Sequence, residues 1–376
     1  MPRLLLTLLV LPFLWLPASP ASADAREADV WSSPEACEAA VADGARLSRT
    51  LDGDALAIGN WNIRWFPRGC RDADDCPVAP TDLDWLGCVI TWMDVDVLAL
   101  QEIIDTPEAR RAMRRLRADL TRRTGGQWRV DLQRCGPPDA LHTGFLWDAE
   151  RVALSNGQDI GQLNGAAVRD GAGRSIRAGD ACAGNLRPGR YAHVQSRTRN
   201  GVDLHLLSVH FDSGRGLKDY RNRRAATGEI ARLMLDGRRM VARDADVVVV
   251  GDFNTMGMNA VEADPEDSAT TAHPEVTGPE EIALMTRDLA PSFAIVPTGD
   301  TCSMYWSPDG DRYRPSNLDH VVATRGMREA ATATRMTGLC AVRDCQPFDA
   351  PAPAAYRTLS DHCPMVIEVR DVDEDD

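Results

Sequence analysis

The chain has 376 residues, ten cysteines and a net charge of −14, and Lys218 is its one lysine, so arginine carries nearly all the positive charge. An acidic chain gains little from non-specific attraction to phosphate polymers, which excludes a general polyanion-binding role and makes any nucleic-acid contact local and cation-assisted. No repeat and no interior Pro/Gly/Ser linker divides the sequence, so one large domain is expected.

The chain opens MPRLLLTLLVLPFLWLPASPASADA: one Arg, a Pro-broken apolar run, then small residues. That order reads as a secretory signal peptide over 1–23, too short and interrupted for a membrane span. No later segment is long and apolar enough to cross a bilayer, so a secreted or periplasmic monomer without stable membrane association is expected. In an oxidising compartment an even set of ten cysteines predicts disulfides, since no zinc-type Cys/His cluster is present. By spacing, Cys70 with Cys76 and Cys340 with Cys345 would close two small loops. The other pairings stay open.

Residues 24–54 read as an N-terminal helical arm, 55–370 as the main domain, and 371–376 as a solvated acidic tail. Within the domain the predicted strands are, in order, LAIGNWNI, VDVLALQEI, HTGFLWD, VDLHLLSVHF, VVVVGDFN, LDHVVAT and PMVIEV. Between them EARRAMRRLRADL and YRNRRAATGEIARLMLDG repeat apolar residues every three or four positions, the helical period. The mixture predicts an α/β (α+β) layered domain. The run Val247–Val250 predicts a strand buried on both faces.

The ends of these strands carry Asn62, Glu102, His210, Asp252 with Asn254, Asp319, and Asp361 with His362. Each alone has a bland account, such as a turn cap, an arginine partner or a structural histidine. As a set they are the parts of a phosphate-ester hydrolase. Glu102 and Asp361 offer hard oxygen ligands for Mg²⁺, Mn²⁺ or Ca²⁺. Asp252 and Asn254 would hold an attacking water, and Asp319 would fix the tautomer of His362.

NWNIRWF, LALQEI, LSVHFDSG, VVVVGDFNT, NLDHVVAT and LSDHCPMVIEV, in this order, resemble the endonuclease/exonuclease/phosphatase superfamily, over roughly Ala57 to Val369. The resemblance implies a four-layer sandwich of two mixed β-sheets flanked by helices, with a divalent-metal phosphoesterase site at one sheet edge. It implies Asn62 at metal or phosphate, Glu102 as metal ligand and His210 on phosphate or the leaving oxygen. Asp252 and Asn254 match the water-orienting pair, Asp319 and His362 the Asp–His dyad, and Asp361 the acid near the metal. Arg64 follows the secreted deoxyribonuclease pattern. Ile103 and Ile104 stand where the pancreatic-type enzyme places a minor-groove basic residue. Leu141 and His142 stand where an acid orienting His210 is expected, with Asp139 as a substitute.

For substrate, Arg187 or Arg190 lies near the family's phosphate-facing arginine. Trp306 and Tyr313, with Tyr305, Arg312 and Arg314, form an aromatic and basic insertion before Asp319 suited to stacking bases or to packing on the domain. The expected activity is metal-dependent phosphodiester hydrolysis of DNA or RNA. A sphingomyelinase-type phospholipase C, a phosphomonoesterase and an inactive binding protein on the same fold are the alternatives.

Overall fold

The computed structural model describes residues 23–51, 54–71, 76–134, 140–164, 187, 189–235, 246–263, 270–272, 274–330 and 333–374. The signal-peptide segment, Asp139, Cys135 and Cys182 lie outside the described residues. The elements begin with α1 (Ala23–Val30), α2 (Pro34–Ala42), β1 (Ala55–Phe66), α3 (Leu83–Met93), β2 (Val97–Ile104), α4 (Pro107–Thr124), β3 (Trp128–Leu132) and β4 (Leu141–Asp148). There follow β5 (Val152–Ile160), β6 (Gly189–Ser196), β7 (Asp203–His210), α5 (Leu217–Leu235), β8 (Val247–Asp252), β9 (Val261–Ala263), β10 (Thr270–Ala272), α6 (Gly278–Leu289) and β11 (Phe293–Val296). The last are β12 (Met304–Trp306), β13 (Arg312–Ser316), β14 (Asp319–Thr324), β15 (Arg335–Met336), α7 (Leu339–Val342), β16 (Phe348–Asp349), α8 (Ala354–Thr358) and β17 (Met365–Arg370).

Two six-stranded sheets result, ordered β15-β17-β1-β2-β4-β3 and β11-β14-β8-β7-β6-β5. Each is mixed, because β1 runs parallel to β2 and β7 parallel to β8 while their other neighbours are antiparallel. The valine run of β8 shows how they stack. Val248 and Val250 join the core between the sheets with Leu98, Leu100, Leu206 and Val321, whereas Val247 and Val249 face Ala226, Ile230, Met285 and Leu289 of α5 and α6. On the other side α3 and α4 bury Trp85, Val89, Met113 and Leu116 over the first sheet. A strand covered on both faces needs no polar alternation, which is why β8 reads as unbroken valine.

α3 escapes the amphipathic pattern because nine of its residues are buried, leaving no polar face to mark the period. Its start is set instead by Asp82, whose side chain accepts from the Asp84 and Trp85 amides. Four disulfides tie the described chain: Cys37–Cys88, Cys70–Cys76, Cys302–Cys345 and Cys340–Cys363. The expected Cys340–Cys345 loop is therefore corrected. Those two residues are joined by a backbone bond, Cys345 N–H to Cys340 O at 2.9 Å, and their sulfurs go to segments distant in sequence.

Cys363 follows His362 directly, so its bridge to α7 pins the last motif of the site. Replacing both Cys340 and Cys363 by Ser should lower unfolding stability in urea by about 2–4 kcal/mol, the usual contribution of a native disulfide. Unchanged stability would contradict the pairing.

Candidate active site

The second sheet lays out half of the site as a single row. His210 pairs in register with Asp252, and Asp252 with Asp319, at the ends of three adjacent strands. Residues in one row project from the same face of a sheet. Asp252 follows Val248 and Val250 in the alternation, so its carboxylate points toward the first sheet. There β1 carries Asn62 and β2 carries Glu102.

The chain leaves regular geometry where these residues must be aimed. Pairing between β1 and β2 shifts register after Asn62, and Arg64 and Trp65 take φ of 34° and 45°. Glu102 and Asn254 also have left-handed backbones, with φ of 63° and 51°. Such conformations cost non-glycine residues free energy and persist where surrounding bonds hold them. Here the holding bonds are visible. The Trp65 amide donates to Glu102 Oε2 at 3.0 Å, the Arg64 amide to Asn62 Oδ1 at 3.1 Å, and the Asn254 amide to Asp252 Oδ1 at 2.9 Å.

Asn62 joins the two halves. Its Nδ2 donates to Glu102 Oε1 and to Asp252 Oδ2, both at 3.1 Å. His210 Nε2 lies 3.7 Å from Glu102 Oε1 and 3.5 Å from Asp252 Oδ2, and His362 Nε2 lies 3.8 Å from the same Asp252 oxygen. Asp319 Oδ2 accepts from His362 Nδ1 at 2.7 Å and from Ser303 Oγ at 2.7 Å. Ser360 Oγ donates to the Asn62 carbonyl at 2.6 Å and accepts from the His362 amide at 3.1 Å. Ser360 is the first residue of the SDH motif, whereas Ser303 belongs to no motif and has no sequence signal of its own.

Burial and charge split the two histidines. Burial opposes the charged form of His362, yet Asp319 and then Asp252 raise its pKa well above the ordinary value. His210 is pushed well below by burial, with Arg187 and His362 adding to the effect. One imidazole therefore holds a proton and the other is neutral. Burial lifts Asp252 to about 7, with His362 opposing. Glu102 is raised by burial and then by the charge of Asp361.

These donors fit a hard divalent cation. Glu102, His210 and Asp252 bring one ligand atom each within 4.8 Å of one another, and Asp252, Asp319 and His362 do the same. A cation beside Glu102 and Asp361 would relieve the mutual repulsion that raises Glu102. Asn62, expected at the metal or phosphate, lies between the two acids, its amide nitrogen donating to both and its oxygen accepting from the Arg64 amide. Asp361 lies at the rim, its Oδ1 4.0 Å from Arg64 Nε, and Arg64 in turn lies over the Tyr356 ring.

The expected substrate residues divide. Arg187 reaches the site, donating to the Phe211 carbonyl at 2.9 Å, the same oxygen that accepts from Asn254 Nδ2 at 3.0 Å. Arg190 does not: its guanidinium is fully buried against Asp131 and Asp159, at 2.5 and 2.7 Å. A substrate contact there is corrected to an internal ion pair. Tyr313 stacks on Phe348, ring centroids 4.7 Å apart, and meets Tyr356 edge-on, so packing accounts for much of its ring. Trp306 is 55% exposed and lines an open, mainly apolar groove of about 600 Å³ with Met256, Ile282, Met304, Leu318 and Arg215.

The sequence pattern of the Endonuclease/Exonuclease/phosphatase family matches residues 59–362, a span that holds every residue of this site. The chain belongs to that family. No curated protein matches it in sequence. Among solved structures it is similar to an endonuclease/exonuclease/phosphatase from Bacteroides vulgatus, with TM-score 0.49 and 15% identity over 84% of this chain and 99% of that one. D. rerio TDP2, complexed with single-strand DNA product, gives TM-score 0.48 and 15% identity over 84% and 99%. A mannosyl-6-phosphatase from Bacteroides thetaiotaomicron gives TM-score 0.47 and 13% identity over the same shares. As in this family generally, the site belongs to a divalent-metal phosphoesterase fold.

Behind the site, His320 follows Asp319 on β14 and is buried, its Nε2 donating to Thr255 Oγ1 at 2.8 Å while that hydroxyl donates to the Asn317 carbonyl. Burial lowers His320 to about 4, with Asp319 opposing. The unfolded chain takes up this proton as pH falls below the ordinary imidazole range and the folded chain does not, so stability should be lost as pH falls from about 6.5 to about 4, by about 3 kcal/mol for this group. Urea unfolding at pH 7 and pH 4.5 should show a smaller loss for His320→Gln than for the wild type. Equal losses would contradict the assignment.

Proposed function

We propose that the chain is a secreted, divalent-metal-dependent phosphodiesterase that hydrolyses DNA or RNA by in-line attack of an activated water. The observation that carries this reading is the row His210, Asp252, Asp319 facing Glu102 across Asn62, with His362 held on Asp319. Four disulfides suit an oxidising compartment, and no helix among the described residues is long and apolar enough to cross a membrane.

Each group has a task that follows from its protonation. Asp252, when ionised, accepts from the attacking water, and its own geometry is fixed by the amides of Asn62 and Asn254. His362, charged and held by Asp319, keeps a proton on Nε2 beside Asp252, where it stabilises negative charge building on the phosphoryl oxygens. His210, neutral, presents Nε2–H to the phosphate. Glu102 with Asp361 would hold the cation, which when bound supplies charge neutralisation at the phosphate and the leaving oxygen. Arg187 places a further positive charge beside Glu102 and Asp252, on the phosphate side.

Nucleic acid is favoured over a bilayer substrate by the surface next to the site. The groove beside Trp306 opens at Thr255 and Leu318, next to Asn254 and Asp319, and has one arginine at its rim. A flat base with its phosphate suits that mixture. Trp306, Val342 and Val372 are the large apolar side chains exposed among the described residues, and Val342 and Val372 belong to different segments, so these residues form no broad insertion face.

Glu102→Gln, His362→Ala and Asp252→Asn should each lower turnover by about two orders of magnitude or more, the scale for losing a general acid/base or electrostatic group. Near-full activity of His362→Ala would reject the mechanism. Initial rates with Mg²⁺, Mn²⁺ or Ca²⁺ on single-stranded DNA, duplex DNA, RNA and sphingomyelin vesicles should show cleavage of nucleic acid, with single strands cut at least as fast as duplex. Chelator should abolish it and monovalent salt reduce it. Hydrolysis of vesicles with every nucleic acid left intact would overturn the substrate assignment.

A further inference from the structure

Among the described residues no carboxylate sets the His210 ring from its Nδ1 side. Its Nε2 side faces Glu102 and Asp252, but its Nδ1 is buried with no hydrogen-bond partner. The strand where such an acid is expected begins Leu141-His142 and offers none until Asp148, whose carboxylate accepts from Gln127 and Glu150 amides at the far end. A ring aimed at a reacting phosphate needs some constraint on its tautomer and its rotation.

A second buried side-chain atom without a partner belongs, among the described residues, to the lining of the same small cavity. Asn222, on α5, is 3% exposed, and its Nδ2 donates to Asp212 Oδ2 at 2.8 Å. That bond fixes which way the amide faces, and its Oδ1 has no partner. Asn222 and His210 line one small cavity together with Arg187, Asp212, Leu163 and Ala226. Its volume is about 10 Å³, the space for the centre of a single water.

We propose that Asn222 is a positioning residue for His210, acting through one water held in this cavity. The proposal rests on the reading of His210 as a phosphate-facing group, because that role requires the proton on Nε2. Nδ1 is then an acceptor, and so is Asn222 Oδ1. Two acceptors cannot bond each other, but a water donates one O–H to each and closes both. The guanidinium of Arg187, on the same wall, offers the N–H that the water's oxygen accepts. Three bonds are the usual complement of a buried water, and the bridge satisfies two buried acceptors that would otherwise be left unpaired. Burial and the charge of Arg187 keep His210 neutral, so the water selects between two neutral tautomers and holds the ring at one angle.

The test is nitrogen-15 NMR of histidine-labelled full-length mature protein without substrate, so its outcome is independent of any assay of phosphodiester cleavage. In the wild type His210 should be the Nε2–H tautomer, with Nδ1 showing the shift of a hydrogen-bonded acceptor. Asn222→Leu, close in size but without the acceptor, should lose that shift and mix the tautomers, and should lower kcat about tenfold with little change in KM. An Nδ1–H wild type, or an unchanged His210 signal in folded Asn222→Leu, overturns the proposal. Should Asn222→Leu not fold, a high-resolution crystal structure of the wild type decides: density for one water within roughly 2.6–3.2 Å of both atoms supports the bridge, and none there overturns it. Loss of the nuclease reading alone would leave the NMR result standing and remove only its link to rate.

Discussion

One side-chain amide stands between two buried carboxylates from different sheets, and the site is organised around it. Without Asn62 Nδ2, Glu102 of the first sheet and Asp252 of the second would face each other as like charges in a poorly solvated gap, a costly arrangement. The same residue does more through its other polar atoms. Its Oδ1 accepts from the Arg64 amide and so shapes the bulged turn after β1, while its backbone carbonyl accepts from Ser360 and so places the segment carrying His362. Three stretches of chain far apart in sequence are thus indexed to one asparagine. A cation beside Glu102 would complete this arrangement in charge, since the amide separates the acids but does not neutralise them.

Rigidity behind the amide makes the indexing useful. The valine strand that ends in Asp252 is packed on both faces, so the carboxylate moves only if two cores move. His362 is fenced separately: the Trp61 indole donates to its carbonyl at 3.0 Å, Ser360 holds its amide, and the next residue is in a disulfide. The left-handed backbones at Glu102 and Asn254 are local costs that such packing offsets. Strain sits at the ends of the strands that carry the chemistry, while their interiors remain regular.

The strand interiors and their polar ends were legible in the sequence for the same physical reason. Burial on both faces writes a run such as Val247–Val250, and a change to Asp and Asn at its end has few purely structural explanations. α3 was hidden because complete burial removes its period. Arg190 was misleading for a related reason: an arginine near a site motif looks free until its partners, Asp131 and Asp159, arrive from other strands. Ser303, the bond from Ser360 to the Asn62 carbonyl and the true partner of Cys340 were likewise invisible, because each depends on a residue brought close only by the fold. Local pattern predicts what a residue type needs; it does not say which distant segment supplies it.

Glu102, beside the gap that Asn62 bridges, is the proposed anchor of the cation. Anomalous diffraction from crystals soaked in Mn²⁺ tests this most directly. One strong peak is expected within bonding distance of a Glu102 carboxylate oxygen, roughly 2.0–2.5 Å for a hard divalent ion, with Asp361 or Asp252 on its other side. A peak bound elsewhere, or no peak while Glu102 stays bonded to Asn62 and Trp65, would contradict it.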